Sequence, residues 1–362
     1  MFLVAGNAQA WVTSVNKLAS AEPNGCYDPN RQPGQDHPAL DPQGYTCPVN
    51  PNFPDVLVYP KTDQTYAWSE IFVPPGEGST GGEEIWIGTG GNVMCTTAGA
   101  FLSEVSPGGY GSSLCEYGDS RVIEQFPGLP PIYGDWYPPG VKLISLSNGD
   151  VTDMTQNDPL RNRCLGYRSA GYHNGVAFFI GKILGGGIAM FAYNTATGEY
   201  LGSQEYTNYR TSRKSGVVKN VLYLSVGTSY TGRILRWMGS VEDPFNWIEV
   251  GRVDGVPREL TEHVDENGES RIAVSARGVF LSPPVPNSGL WPLNAYSWTN
   301  IWNPNQYEPD YTTRITYVGG GIASLEGKLY VTTRHIPGNA ADLHTTCTID
   351  PYNIPLPSST PA

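Results

Sequence analysis

The sequence predicts an all-β chain built from one repeated four-stranded unit. Three observations carry that prediction: dense Gly and Pro punctuation, a short strand signal that keeps returning, and hairpin turns at fixed places around it. Gly (43) and Pro (31) together make up about a fifth of the 362 residues. No run of ten or more residues keeps a 3.6-residue apolar period, so the reading is short strands joined by many turns. Aromatic residues are 11% of the chain, with 22 Tyr and 9 Trp, which is ample material for a core.

The strand signal is aliphatic, then aromatic or apolar, then aliphatic, then small or polar. It appears as AWVT at Ala10–Thr13, IWIG at Ile85–Gly88 and AFFI at Ala177–Ile180. It returns as LYLS at Leu222–Ser225, IAVS at Ile272–Ser275 and LYVT at Leu329–Thr332. The central residues Trp11, Trp86, Phe178, Tyr223, Ala273 and Tyr330 are separated by 75, 92, 45, 50 and 57 residues. Ahead of the signal comes a strand that ends in a tight turn, as at Tyr172–Gly175, Val218–Asn220, Asp265–Gly268 and Leu325–Lys328. Asn and Gly there supply the positive φ that a two-residue hairpin requires. After the signal comes a second hairpin, read in Val141–Met154, Ile188–Leu201 and Arg233–Gly251. Two hairpins make four strands.

A four-stranded unit with a spacing near 40–50 residues is the period of a β-propeller blade. The expected fold is therefore a single β-propeller of six or seven four-stranded blades over residues 1–350, followed by a Pro/Ser-rich tail or linker at 351–362. The two long gaps predict insertion loops at about 18–54 and 91–139. One further strand is expected at Leu343–Asp350, and ring closure is not visible in the sequence. The stretches Leu325–Thr333 (LEGKLYVTT) and Ala192–Leu201 (AYNTATGEYL) resemble the repeats of YVTN and quinoprotein-like β-propellers. That resemblance covers most of the chain at the level of fold and implies no particular activity.

Six cysteines are present. Cys26 with Cys47, and Cys95 with Cys115, are local pairs lying in the two insertions, while Cys164 and Cys347 remain to bridge distant segments. None has a metal-type spacing, so disulfides and an oxidising compartment are expected: periplasm, cell surface or medium. The first ten residues lack the basic start and the long apolar core of an export leader, so the leader is expected to be missing or the chain to be a fragment. A net charge of −12 argues against nucleic acid as a partner. No apolar run reaches the length of a membrane helix.

An arginine stands at the start of four successive blades: Arg168, Arg213, Arg258 and Arg314. A second basic set, Lys182, Arg277 and Arg334 with His335 beside it, follows the strand signal. Converging arginines would bind carboxylate, sulfate or phosphate groups through paired hydrogen bonds. The plainer reading is pairing with nearby acids such as Asp254, Glu259 and Glu262. His173 is expected at a rim turn, with only His263 and His335 able to face a channel, too few for a metal centre. No cofactor or metal is expected. Asp265–Ser270 (DENGES) reads as a turn rather than a calcium loop. Glu70, Glu84, Glu104, Asp119, Asp135 and Glu262 are candidate carboxylates for glycoside chemistry. Tyr110, Tyr117, Tyr133, Trp136 and Tyr137, in the second insertion, are candidates for a partner-binding platform or for self-assembly.

No GxSxG, phosphate loop, dinucleotide fingerprint or HExxH occurs. The sequence thus points to an extracellular, non-enzymatic propeller that binds a glycan or protein partner. The alternative is a hydrolase or lyase acting on an anionic polysaccharide at an arginine-lined channel mouth.

Overall fold

The computed structural model describes residues 25–27, 46–47, 59–61, 66–76, 82–90, 139–183, 186–228, 231–287, 291, 298–303 and 317–335. Two short strands, β1 (Gly25–Tyr27) and β2 (Tyr59–Lys61), pair with each other. Next come four consecutive antiparallel four-stranded sheets. The first holds β3 (Tyr66–Val73), β4 (Glu84–Gly90), β5 (Val141–Ser145) and β6 (Val151–Asp153). The second holds β7 (Cys164–His173), β8 (Val176–Ile183), β9 (Ile188–Asn194) and β10 (Tyr200–Tyr206). The third holds β11 (Thr211–Val218), β12 (Val221–Gly227), β13 (Thr231–Trp237) and β14 (Trp247–Asp254). The fourth holds β15 (Glu259–Val264), β16 (Ser270–Ser275), β17 (Val279–Leu281) and β18 (Thr299–Trp302). A final hairpin pairs β19 (Tyr317–Leu325) with β20 (Lys328–His335).

Within each sheet the strands follow chain order, so every sheet is a meander. Between sheets, the first strands meet: β3 lies beside β7, β7 beside β11, β11 beside β15, and β15 beside β19. A row of meanders joined through their first strands is the arrangement of propeller blades around an axis. The fold is a β-propeller, with four complete blades and the inner hairpin of a fifth among the described residues. The expected strands at Ala10–Thr13 and Leu343–Asp350 lie outside those residues, as do the tail at 351–362 and most of both insertions.

The strand signal is the second strand of each blade, and its apolar content has a simple cause. A blade is covered on both faces by its neighbours, so alternate residues of one strand enter two different cores. Ala177 and Phe179 of β8 pack with Trp86, Val141 and Tyr167 toward the preceding blade. Val176, Phe178 and Ile180 pack with Leu222, Leu224 and Trp237 toward the following one. A third core repeats the pattern one blade on, joining Tyr223 and Ile234 to Leu260, Ile272 and Val274. A strand buried on both faces reads as a nearly unbroken apolar run.

The tight turns fall where the sequence places them. Asn174 (φ 45°) with Gly175 (φ 77°), Lys219 (46°) with Asn220 (55°), and Glu326 (50°) with Gly327 (71°) each put two successive residues at positive φ. That geometry matches the twist of the strands it joins. In the 265–270 turn, the Asp265 carboxylate accepts from the Asn267 and Glu269 amides and from Arg271 Nε.

Cys26 and Cys47 form a disulfide, closing a 21-residue separation, as their spacing suggested. Cys95, Cys115 and Cys347 lie outside the described residues. Cys164 corrects the expectation of a distant bridge: its thiol is free and fully buried on β7. It sits in the core shared by the β3–β6 and β7–β10 blades and its Sγ lies 3.7 Å from the Gly166 carbonyl. Among the described residues no helix is long and apolar enough to cross a membrane.

Candidate functional site

The inner strands share an irregularity. In β3, Ala67 faces Thr89 and Ser69 faces Gly88, so Trp68 is an extra residue bulged out of the ladder. In β7 the same break falls between Tyr167 and Ser169, leaving Arg168 as the extra residue. In β11 it falls between Ser212 and Lys214, leaving Arg213. Arg258 holds the matching place before β15: Glu259 faces Ser275, and the Arg258 amide donates to the Ser275 carbonyl at 2.8 Å. In β19, Gly320 and Gly321 together oppose Thr332, between the pairs Gly319–Thr333 and Ile322–Val331. A bulge takes a side chain off the regular alternation and re-aims it. Arg168, Arg213 and Arg258 follow one another at intervals of 45 residues.

The bulge residues line two adjoining depressions. One, of about 350 Å³, is walled by Trp68, Arg168, Arg213, Lys214 and Ser169, with Glu70 and Glu259 at its margin. The other, of about 340 Å³, shares Trp68, Arg168, Arg213 and Glu259, adds Arg258 and is bounded by Gly320 and Gly321. Among the described residues, four cations and two carboxylates line this space. Lys214 Nζ lies 3.7 Å from a Glu259 carboxylate oxygen, a half-exposed pair of little energetic weight.

Several devices hold the bulges in place. The Arg168 guanidinium lies over the Trp68 ring, 5.2 Å from its centroid. The Trp68 indole rests against Gly166, where a Cβ would come within 2.5 Å of the ring. Serines stitch neighbouring blades together. Ser69 Oγ donates to the Tyr167 carbonyl at 2.8 Å, and Ser275 Oγ donates to the Gly320 carbonyl at 2.5 Å. Ser215 Oγ donates to the Ala170 carbonyl. Ser169, also on the cavity wall, is 1% exposed, and its hydroxyl makes no hydrogen bond among the described residues.

The sequence-predicted residues divide. Arg168, Arg213 and Arg258 come together. Lys182 is exposed on β8 and stands apart from the depressions. Arg277 is exposed in the turn after β16, 3.5 Å from Asp254, and takes the structural pairing that the sequence offered as the plainer reading. Arg334 and His335 occupy the last two positions of β20, opposite Val318 and Tyr317. Arg314 and the aromatic set Tyr110, Tyr117, Tyr133, Trp136 and Tyr137 lie outside the described residues, with Glu104, Asp119 and Asp135. His173 is not at the rim but buried at the end of β7, edge-on to Trp237 at 5.7 Å. His263 is buried too, its Nδ1 3.0 Å from Ser324 Oγ of β19, so it bridges blades. Glu84 is buried and accepts from Trp86 Nε1 at 2.9 Å, a structural role.

Trp68 was missed by sequence reading. Its equivalence to the arginines is hidden by the β3–β4 connection, Pro74–Glu83, where β7–β8 and β11–β12 turn in two residues. Counting back from the IWIG strand by register would have found it.

No family model matches the chain, and no curated protein matches it. Among solved structures, the chain is similar to TolB from Acinetobacter baumannii at 12% identity, over 56% of this chain and 47% of that one, with a TM-score of 0.28. It is similar to the WD40 domain of SCAP from fission yeast at 11% identity, over 54% of this chain and 43% of that one, with a TM-score of 0.33. It is also similar to the computationally designed Ika4 protein at 8% identity, over 46% of this chain and 89% of that one, with a TM-score of 0.25. The matched residues span less than half of the TolB and SCAP chains.

Proposed function

We propose that this protein is an extracellular or periplasmic propeller that binds an anionic ligand at the mouth of its central channel, without transforming it. One observation carries the reading: Arg168 and Arg213, raised on matching bulges of successive inner strands, border one cavity with Arg258, which stands just before the next inner strand. Guanidinium groups match carboxylate, sulfate and phosphate oxygens in paired hydrogen bonds and stay charged at every physiological pH. Glycans that carry such groups suit the site best, because Trp68 and the Ser169 hydroxyl, which makes no hydrogen bond among the described residues, add an aromatic face and a polar contact. The Cys26–Cys47 disulfide supports an oxidising compartment.

The second reading is a hydrolase or lyase on the same acidic polymer. It draws on Glu70 and Glu259, two carboxylates at the margin of the arginine-lined cavity. One experiment serves both. Calorimetric titration with polygalacturonate and with a neutral galactan should give heat only with the former. Binding should weaken as salt rises, and the double variant Arg168→Ala, Arg213→Ala should lose it. A hydrogen bond to a charged group contributes about 1.5–3 kcal/mol, so each arginine should account for roughly tenfold or more. Binding unchanged in the double variant overturns the proposal. Release of shortened chains on prolonged incubation would favour the enzymatic reading.

A further inference from the structure

We infer that the ligand is a hydroxy acid, a sugar with free hydroxyls beside its acidic group, and that Glu259 is the residue that selects it over a bare anion. This rests on the anion-binding reading above and narrows its ligand class.

The residues that directly follow the bulge position form a second row around the mouth. Ser69 faces Gly88, Ser169 faces Ile180, Lys214 faces Ser225 and Glu259 faces Ser275. Because β11 lies beside β15, the last two meet across the blades, and Lys214 Nζ stands 3.7 Å from a Glu259 oxygen. That contact is longer than a hydrogen bond, and the Glu259 carboxylate accepts none among the described residues. Glu259 lines both depressions, whereas Lys214 and Glu70 line only the first.

An acidic group in either depression therefore comes in beside the Glu259 carboxylate as well as the arginines. A carboxylate accepts hydrogen bonds and cannot donate one. A bare anion, such as sulfate or a simple carboxylate, also has only acceptors, so it attracts the cations and is repelled by Glu259. A hydroxyl beside the acidic group reverses that encounter, because it donates to Glu259 while the acid takes the arginines. A site that holds a hydroxyl through a hydrogen bond rejects analogues that lack it more strongly than an apolar wall can. Glu259 is thus a repulsive element that only hydroxylated acids overcome. Its pairing with Lys214 does not cancel this, since so exposed a pair is weak and Lys214 reaches one depression only.

The test is a calorimetric titration of the full chain with galacturonic acid, cyclohexanecarboxylate and galactose. The second keeps ring and acid without hydroxyls, and the third keeps hydroxyls without an acid. A galactose sulfate ester with inorganic sulfate forms a parallel arm, and the arm that responds tells carboxylate from sulfate. The hydroxylated anion should bind at least tenfold tighter than the bare one, the worth of a hydrogen bond to a charged group. Glu259→Gln should tighten the bare anion by roughly threefold to fivefold, the scale of one like charge nearby, and so shrink that gap. Glu70→Gln, which removes the same charge from the margin of one depression, should leave the gap within about twofold. Equal affinity of hydroxylated and bare anions in both arms overturns the inference while leaving anion binding intact. An unchanged gap in Glu259→Gln, or an equal change in both variants, does the same. Galactose binding as tightly as galacturonic acid, or no binding of any acid, overturns the anion-binding reading itself. The wild-type comparison decides the ligand class alone, so a variant that fails to fold does not shield the inference.

Discussion

Arg168 lies over the Trp68 indole, with the guanidinium carbon 5.2 Å from the ring centroid. The two residues hold the same bulge position on adjoining inner strands, so one blade orients the cation of the next. Such a contact is worth about 0.5–2 kcal/mol. Trp68→Ala should therefore weaken acidic-ligand binding by roughly 3- to 30-fold, and Trp68→Phe by less. Titration calorimetry checks the order, and circular dichroism checks that the fold is kept. Equal affinity in all three proteins would show that Trp68 does not position Arg168.

Gly181 of β8 lies close against β7. A Cβ there would stand 2.2 Å from the Gly166 carbonyl oxygen and 2.3 Å from Cys164 Sγ. Backbone cannot yield as the end of a long side chain can. Gly181→Ala should cost about 1–3 kcal/mol, the range for overpacking. The urea midpoint measures it. Gly268→Ala is a contrasting control in one respect: nothing lies within 4 Å of its Cβ, and its penalty comes only from φ 78°.

Cys164 should be chemically silent in the native protein. Burial pushes its thiol up to about 12, opposed only weakly by the Gly166 hydrogen bond and by Arg161. At pH 8 almost none is thiolate, and no reagent reaches it. Alkylation followed by peptide mapping should find Cys164 unlabelled in buffer and labelled in denaturant. Labelling of the native chain would contradict its enclosure.

His173 makes the fold sensitive to mild acid. Burial holds its pKa below the ordinary imidazole value. As pH falls, the unfolded chain takes up the proton first, so stability is complete above about pH 6.5 and declines below it, through the lowered folded pKa. His173→Phe should flatten this part of the profile. Denaturation midpoints at pH 7.5 and pH 5 provide the measurement, and an unchanged difference between them in the variant would assign the acid sensitivity elsewhere.

The blade was readable because its signals are local. The apolar run of β8 and the turn at Asn174–Gly175 are each written within a few residues. The disulfide between Cys26 and Cys47 was readable for the same reason. Cys164 misled because an even cysteine count suggests pairs, whereas a buried thiol behaves as a small apolar side chain. The arginines could be noticed by recurrence, but the device that raises them could not. A bulge is a mismatch between two strands, and neither strand carries it in its own residues. Arg277 belongs to the second basic set, yet Asp254 claims it, a pairing that spans 23 residues and depends on how the strands return.

The serine bonds between neighbouring blades have a consequence for how such a site can diversify. Two of the bulges are tied to a neighbouring blade by a hydroxyl reaching a main-chain carbonyl: Ser69 bonds Tyr167, beside Arg168, and Ser275 bonds Gly320. Those bonds ignore the identity of the bulged side chain. Tryptophan, arginine and glycine all occupy the same place, and the strands around them are undisturbed. The binding surface is consequently modular: each repeat contributes one interchangeable character, and altering one leaves the grammar of the others intact.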